Sequence, residues 1–201
     1  MKLPRSTTAA FSLIELLVVI AIIIVVAGLV VGLSTAATDR KNISRAQVER
    51  DRLVTLIENY KSKIGVFPPD HDNTNSPERN TLVYELAGAI RGSTYYTNIP
   101  VFGTISSIEL AALVPGATGI VNASDDPTEI KRVLRDLKPD QTASVVPNTL
   151  SFVVPIDGPS GKPNPWKYLV GEHASHNKES FDLWVEIKVR GQIRTIGNWK
   201  E

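Results

Sequence analysis

From Leu16 to Leu33 the chain reads "LLVVIAIIIVVAGLVVGL", with no charge and almost nothing but aliphatic and small side chains. One carboxylate, Glu15, stands at the front of this run, and the next charge is Asp39. As a helix the run rises about 27 Å, close to the ~30 Å hydrocarbon core of a bilayer. A helix apolar on every side cannot face water, so lipid or protein must cover it. A charge held inside a bilayer costs a few kcal/mol. Glu15 therefore needs a partner or a defined place, and that requirement constrains the chain more than any other feature.

The remainder is ordinary and mixed. With 201 residues the chain has room for one domain and an appendage. Its formal charge of +1 supplies no field to attract nucleic acid. The absence of cysteine excludes disulfides, thiolate metal sites and cysteine nucleophiles. One membrane-embedded segment followed by one soluble domain is the simplest division.

Three readings of the N-terminus compete. Lys2 and Arg5 give the positive start of a secretory signal, and Ser34-Thr35-Ala36 gives a small-residue cleavage site. However, the apolar run is longer than a signal core, and an acid opens it. A plain membrane anchor explains the length but not Glu15. The third reading is a resemblance: "FSLIELLVVIAII", from Phe11, is similar to the N-terminal signature of type IV pilins and type II secretion pseudopilins.

The resemblance implies a leader over 1–10, removed by a prepilin peptidase on the cytoplasmic side between Ala10 and Phe11. The family usually carries glycine before the cut; here it is Ala10. Phe11 would then be N-methylated, and Glu15 would be the fifth residue of the mature chain. In the family that glutamate pairs with the terminal amine of a neighbouring subunit. The chemistry is sound: a free α-amine has a pKa of about 8 and is mostly cationic at neutral pH. Phe11 and Glu15, four apart, share a helix face, and a carboxylate in the first turn complements the helix dipole. Gly28 and Gly32 form a G-x-x-x-G pair, with Ala21 on much the same side, that would let helices approach closely.

The helix is expected to run on from this 11–38 half through 39–65. No proline occurs between Pro4 and Pro68. Ile43, Ala46, Arg50, Leu53, Ile57, Tyr60 and Ile64 recur at spacings of three and four, which makes one stripe to bury. Arg50 interrupts the stripe and is expected to snorkel or meet an acid. Gly65 offers a cap and Pro68-Pro69 a stop. "ENYKSKIGVFPPD" adds to the resemblance, because pseudopilins carry a similar tyrosine, glycine, aromatic and proline pattern where the long helix ends.

Residues 66–148 read as a variable helical and loop region laid over the surface. Short helices are expected over Thr81–Arg91 and Ser106–Val114. A third is expected after Asp126-Pro127-Thr128-Glu129, with Ile130, Val133, Leu134 and Leu137 as its stripe and Pro139 as its end. Residues 149–201 read as β. Leu150–Val154 and Trp166–Val170 are candidate strands. Phe181–Val189 alternates apolar with polar, as a half-buried strand does. Arg190-Gly191 is the turn and Gln192–Trp199 the return. "NPWKYLV" and "FDLWVEI" resemble the sheet segments of major pseudopilins.

Two polar clusters invite a chemical reading. Asp70-His71-Asp72 offers a base or metal ligands, and Glu172, His173, His176 and Glu179 offer a zinc-like set. Each lies in a polar stretch where a solvated loop accounts for it, so no metal, cofactor or catalytic residue is expected. No glycine-rich phosphate loop and no nucleophile elbow occurs. The expected fold is α+β, a pilin fold with a long N-terminal helix packed on a C-terminal antiparallel sheet. The expected function is structural rather than enzymatic. The resemblance implies a subunit of a type IV pilus-like filament, above all a type II secretion pseudopilin drawn from a bacterial inner membrane for protein secretion, single-pass, with its head (39–201) in the periplasm. Its partners would be further copies, other pseudopilins, the prepilin peptidase, the membrane and an inner-membrane assembly platform, and not nucleic acid. A true surface pilus subunit and a membrane-tethered periplasmic binding protein are the alternatives.

Overall fold

Helix α1 runs from Leu13 to Ile64 and begins on a reciprocal cap. The Ser12 amide donates to Glu15 Oε2 at 2.9 Å, and the Glu15 amide donates to Ser12 Oγ at 3.2 Å. The computed structural model describes residues 12–98 and 103–200, and the side chains of these except 29–36. Ala10 and Phe11 lie outside the described residues. The chain divides into two compact units, Met1–Lys41 and Asn42–Glu201.

In the first unit the large apolar residues described with side chains are uncovered. Leu13 is 84% exposed, Ile24 69%, and the aliphatic residues between them lie open on every side. Among the described residues no helix is long and apolar enough to cross a membrane. Those described with side chains, 13–28, would rise about 24 Å, and the apolar sequence continues to Leu33 beyond them.

The second unit is built on the other part of α1. Ala46, Leu53, Ile57 and Tyr60 are fully buried, with Ile43 and Ile64 packed at the margin. This is the stripe that the three-four spacing predicts. Arg50 stays within it by reaching the strand opposite: its Nη1 donates to the Gly197 carbonyl at 3.0 Å, and its Nε meets Asp51 at 2.9 Å. Gly65 ends the helix with φ 96° and returns its amide to the Lys61 carbonyl at 2.7 Å. A left-handed residue at this position is what glycine supplies at least cost. Phe67 then folds between the last turn and the sheet, 4.0 Å beneath Lys61 Nζ and 5.2 Å from the Phe181 ring.

Strands β1 (Ala89–Arg91), β2 (Tyr95–Asn98), β3 (Gly103–Ser106) and β4 (Ala123–Ser124) form a sheet in the order β3-β2-β1-β4. Its pairs are antiparallel except β1 with β4. Strands β5 (Thr142–Ala143), β6 (Ser151–Val154) and β7 (Asn164–Pro165) form a small antiparallel sheet. The largest strands lie in the third, β8 (Lys167–Val170), β9 (Phe181–Val189) and β10 (Gln192–Gly197), antiparallel in the order β10-β9-β8. Arg190 and Gly191, with φ 52° and 78°, make the two-residue turn between β9 and β10. Leu183, Val185, Ile187 and Ile196 of this sheet share one core with the α1 stripe. The architecture is α+β, with an N-terminal helix and antiparallel sheets.

Three expectations fail in the middle of the chain. The helix over Thr81–Arg91 is α2, Leu82–Ala87, and it stops early. Gly88 takes φ 73°, and the Ala89 amide turns to the Asn122 carbonyl at 3.0 Å, so Ile90 joins a strand instead. The segment after Asp126 is not helical. Asp126 caps only a local turn, accepting the Thr128 amide at 2.8 Å. Beyond it the amides of Val133 and Leu134 bond to the Leu86 carbonyl, at 3.0 and 2.8 Å. Short isolated helices are marginal, and these tertiary bonds outweigh the local preference. Nor is the region only a covering: Leu82, Leu86, Ile105, Leu110, Leu113 and Leu134 belong to the core. Helix α3, Ser107–Leu113, does form, with the capping box of Ser106 and Glu109.

The buried core begins at Ala46. A fragment starting near Lys41 should therefore be soluble, folded and monomeric by size-exclusion chromatography. Aggregation of such a fragment would show that the head relies on the segment before it.

Candidate functional site

The N-terminal segment presents two features together. Its apolar residues are uncovered, and its only described charge before Asp39 is bonded at the helix start. Ser12 is the residue that sequence reasoning missed. Ser-x-x-Glu followed by an apolar run is a capping-box pattern, and "SLIE" carries it in plain view. Glu15 thus has work inside its own chain, satisfying an amide that the first helical turn leaves unpaired. A Cβ placed on Gly28 would meet nothing within 4 Å, so nothing in its own chain requires glycine there. Gly32 lies in α1 among the residues whose side-chain surroundings are not described.

In the head, the structure joins halves of the two polar clusters. Asp70 follows the helix exit and is only 6% exposed. Its Oδ2 accepts the Val170 amide at 3.0 Å and faces His173 Nδ1 at 2.9 Å, and its Oδ1 accepts the Asp72 amide at 3.1 Å. Asp70, Asp72 and His173 each bring one ligand atom within 4.8 Å of the others. The Asp70 oxygen nearest His173 also accepts the Val170 amide, so that carboxylate is already engaged within the fold. That leaves one imidazole nitrogen and one solvent-facing carboxylate, fewer protein ligands than a structural or catalytic zinc site uses. His71 stands apart, its Nε2 3.5 Å from Thr81 Oγ1, and burial lowers its pKa.

The other set is dispersed. His176 belongs to Asp182, whose Oδ2 lies 3.1 Å from Nδ1 and accepts the His176 amide at 2.8 Å. Asn177 fills the other oxygen with its amide and its side chain, both at 3.0 Å. Asp182 is thereby buried, which corrects the wet face expected for that position of β9. Glu172 and Glu179 are exposed, and neither joins the Asp70, Asp72 and His173 group. The His176 ring lies flat on Trp199 at 3.9 Å, a packing contact at the sheet edge.

A further buried acid was not foreseen. Glu85 of α2 is fully buried, and it takes the Tyr60 hydroxyl on Oε2 at 2.6 Å, the Val121 amide on Oε1 at 2.8 Å and the Asn122 amide on Oε2 at 3.0 Å. Burial holds its pKa above the usual glutamate value, against the pull of those donors. The signal was its flanks: Val83, Tyr84, Leu86 and Ala87 leave a short helix no wet side. The donors to this carboxylate all come from the fold, joining α1, α2 and the loop before β4.

No family model, no curated protein and no solved structure matches this chain.

Proposed function

We propose that the chain is a structural subunit of a type IV pilin-like filament, and more specifically a type II secretion pseudopilin. One observation carries the reading: a helix that begins two residues after the expected cut and bears uncovered aliphatic residues all round from Leu13 to Val26. So large an apolar surface must be covered. Lipid covers it while the subunit waits in the inner membrane, and the helices of other copies cover it in the filament. The Gly28 position, open to 4 Å, leaves room for such a helix. The head then lies in the periplasm. The "FSLIE" and "NYKSKIGVFPP" patterns, with a helix half-covered by antiparallel strands, support the same family.

In this reading Glu15 is an assembly residue. Processing at Ala10-Phe11 creates an amine next to Ser12, whose amide Glu15 already holds. In this reading the carboxylate then serves the new terminus and meets the Phe11 amine of a neighbour. Mass spectrometry of the protein purified from membranes should find a chain starting at Phe11, carrying one methyl group on its amine. A chain starting after Ala36 would make the segment a secretory signal, and an intact Met1 would leave only a tether.

A further inference from the structure

The loop leaving α1 and the 3-10 turn Gly171–His173 after β8 meet through one imidazole and two carboxylates. His173 Nδ1 lies 2.9 Å from Asp70 Oδ2, and its Nε2 lies 3.7 Å from Asp72 Oδ1. The two acids differ in freedom. Asp70 is fixed by the Val170 and Asp72 amides, whereas the Asp72 side chain is 92% exposed. To present Asp72 to the ring, the loop passes through two consecutive left-handed residues, His71 at φ 54° and Asp72 at φ 58°. Neither is glycine, so the turn is strained, and the loop's own bonds, such as the Asp72 amide to Asp70 Oδ1, share the task of holding it with the His173 contact.

We propose that His173 is a proton-operated clip that fastens the helix-exit loop to the corner after β8. With both ring nitrogens protonated, the imidazolium gives Nδ1–H to Asp70 and holds its charge 3.7 Å from the Asp72 carboxylate, an ion pair beyond hydrogen-bond reach. Losing a proton leaves Nδ1–H on Asp70, the stronger contact, and places a lone pair on Nε2. That lone pair then faces the Asp72 carboxylate, acceptor against acceptor. Asp72 has no burial to hold it, so it turns to solvent, and the strained His71-Asp72 backbone relaxes with it.

The surroundings favour the charged ring. The groups facing His173 are Asp70 and Asp72 from the helix-exit loop and Glu172 from its own turn, all acidic. The bond to Asp70 raises the His173 pKa most, and desolvation opposes it. His71 shifts the opposite way because burial lowers it, so it is not the proton carrier. A raised folded value sets the direction. The Asp72 arm of the clip is closed below the ordinary histidine value of about 6.5 and opens as pH rises through the higher folded value, while the Asp70 arm stays. This inference concerns the head alone and does not depend on the filament reading.

The test uses the full chain in detergent micelles, with NMR titration of the imidazoles and amide exchange between about pH 5 and pH 8. The Asn73 and Thr74 amides report the turn, since they bond to the carbonyls of Asp70 and Asp72 at 3.1 and 2.9 Å. Their protection factors should fall severalfold as His173 deprotonates. His173→Gln should remove that pH response, and His71→Gln should keep it. Asp72→Asn, at an exposed position, should lower the His173 midpoint without unfolding the chain. A His173 midpoint at or below the ordinary value overturns the proposal, as does an unchanged pH response in His173→Gln.

Discussion

Glu15→Gln should abolish filament assembly while leaving membrane abundance unchanged. The substitution separates the two jobs of this residue. Glutamine can still accept the Ser12 amide, because a capping box works with either Glu or Gln. Helix α1 should therefore start where it does now. A neutral residue is also cheaper to hold in lipid than a charged one. What disappears is the negative charge that would meet the Phe11 amine of the next subunit. An ammonium buried without its partner costs about 3–5 kcal/mol. At 1.4 kcal/mol per tenfold, that is about a hundredfold or more in each contact. Filament yield under overexpression, or cross-linking between subunits, is the readout, alongside a membrane-fraction blot. Normal filaments would mean that Glu15 serves only the helix start of its own chain.

The second large effect is expected at Glu85. Glu85→Ala removes an acceptor from Tyr60, Val121 and Asn122 at once and leaves two backbone amides unpaired. Of the donors, the Tyr60 hydroxyl and the Asn122 amide belong to buried residues, and each costs about 1–3 kcal/mol when left unpaired. Chemical denaturation should show a loss of about 3–5 kcal/mol in total. A loss below about 1 kcal/mol would show that water replaces the carboxylate at little cost. The acid also has a pH signature. Its folded pKa is raised above the ordinary glutamate value, so the native state binds a proton more tightly than the unfolded chain does. Stability should fall as pH climbs from the ordinary glutamate value toward the raised folded value, and lie on a lower plateau above it. Glu85→Gln, although it costs stability by setting an NH2 against one donor, should abolish that fall.

Why Glu85 escaped sequence reasoning, while the α1 stripe did not, follows from what each depends on. The stripe is periodic, and a period of 3.6 residues is written along the chain itself. Glu85 is buried by residues such as Tyr60 and Asn122, which are remote in sequence. The same contrast separates α3 from the segment after Asp126. Both carry a cap, an acid three residues on and an apolar stripe. Only α3 keeps its helix, because Leu86 and Asn122 bind the backbone of the other segment in extended form. The polar clusters behave similarly. Each looked like a solvated loop alone, and only the approach of residues 70–72 to residue 173 selected the members that interact.

By itself the sequence determined the apolar segment, the acid at its head, the long helix with its buried stripe and glycine stop, and the β9–β10 hairpin. All of these rest on local periodicity, capping and turn chemistry, which act over a few residues. Only the tertiary structure decided that residues 66–148 contribute to the core and that Asp182 and Glu85 are buried acids. It also decided that Asp70 and His173 meet. Burial and long-range hydrogen bonding set those outcomes. They depend on which surfaces come together, and no short stretch of chain encodes that.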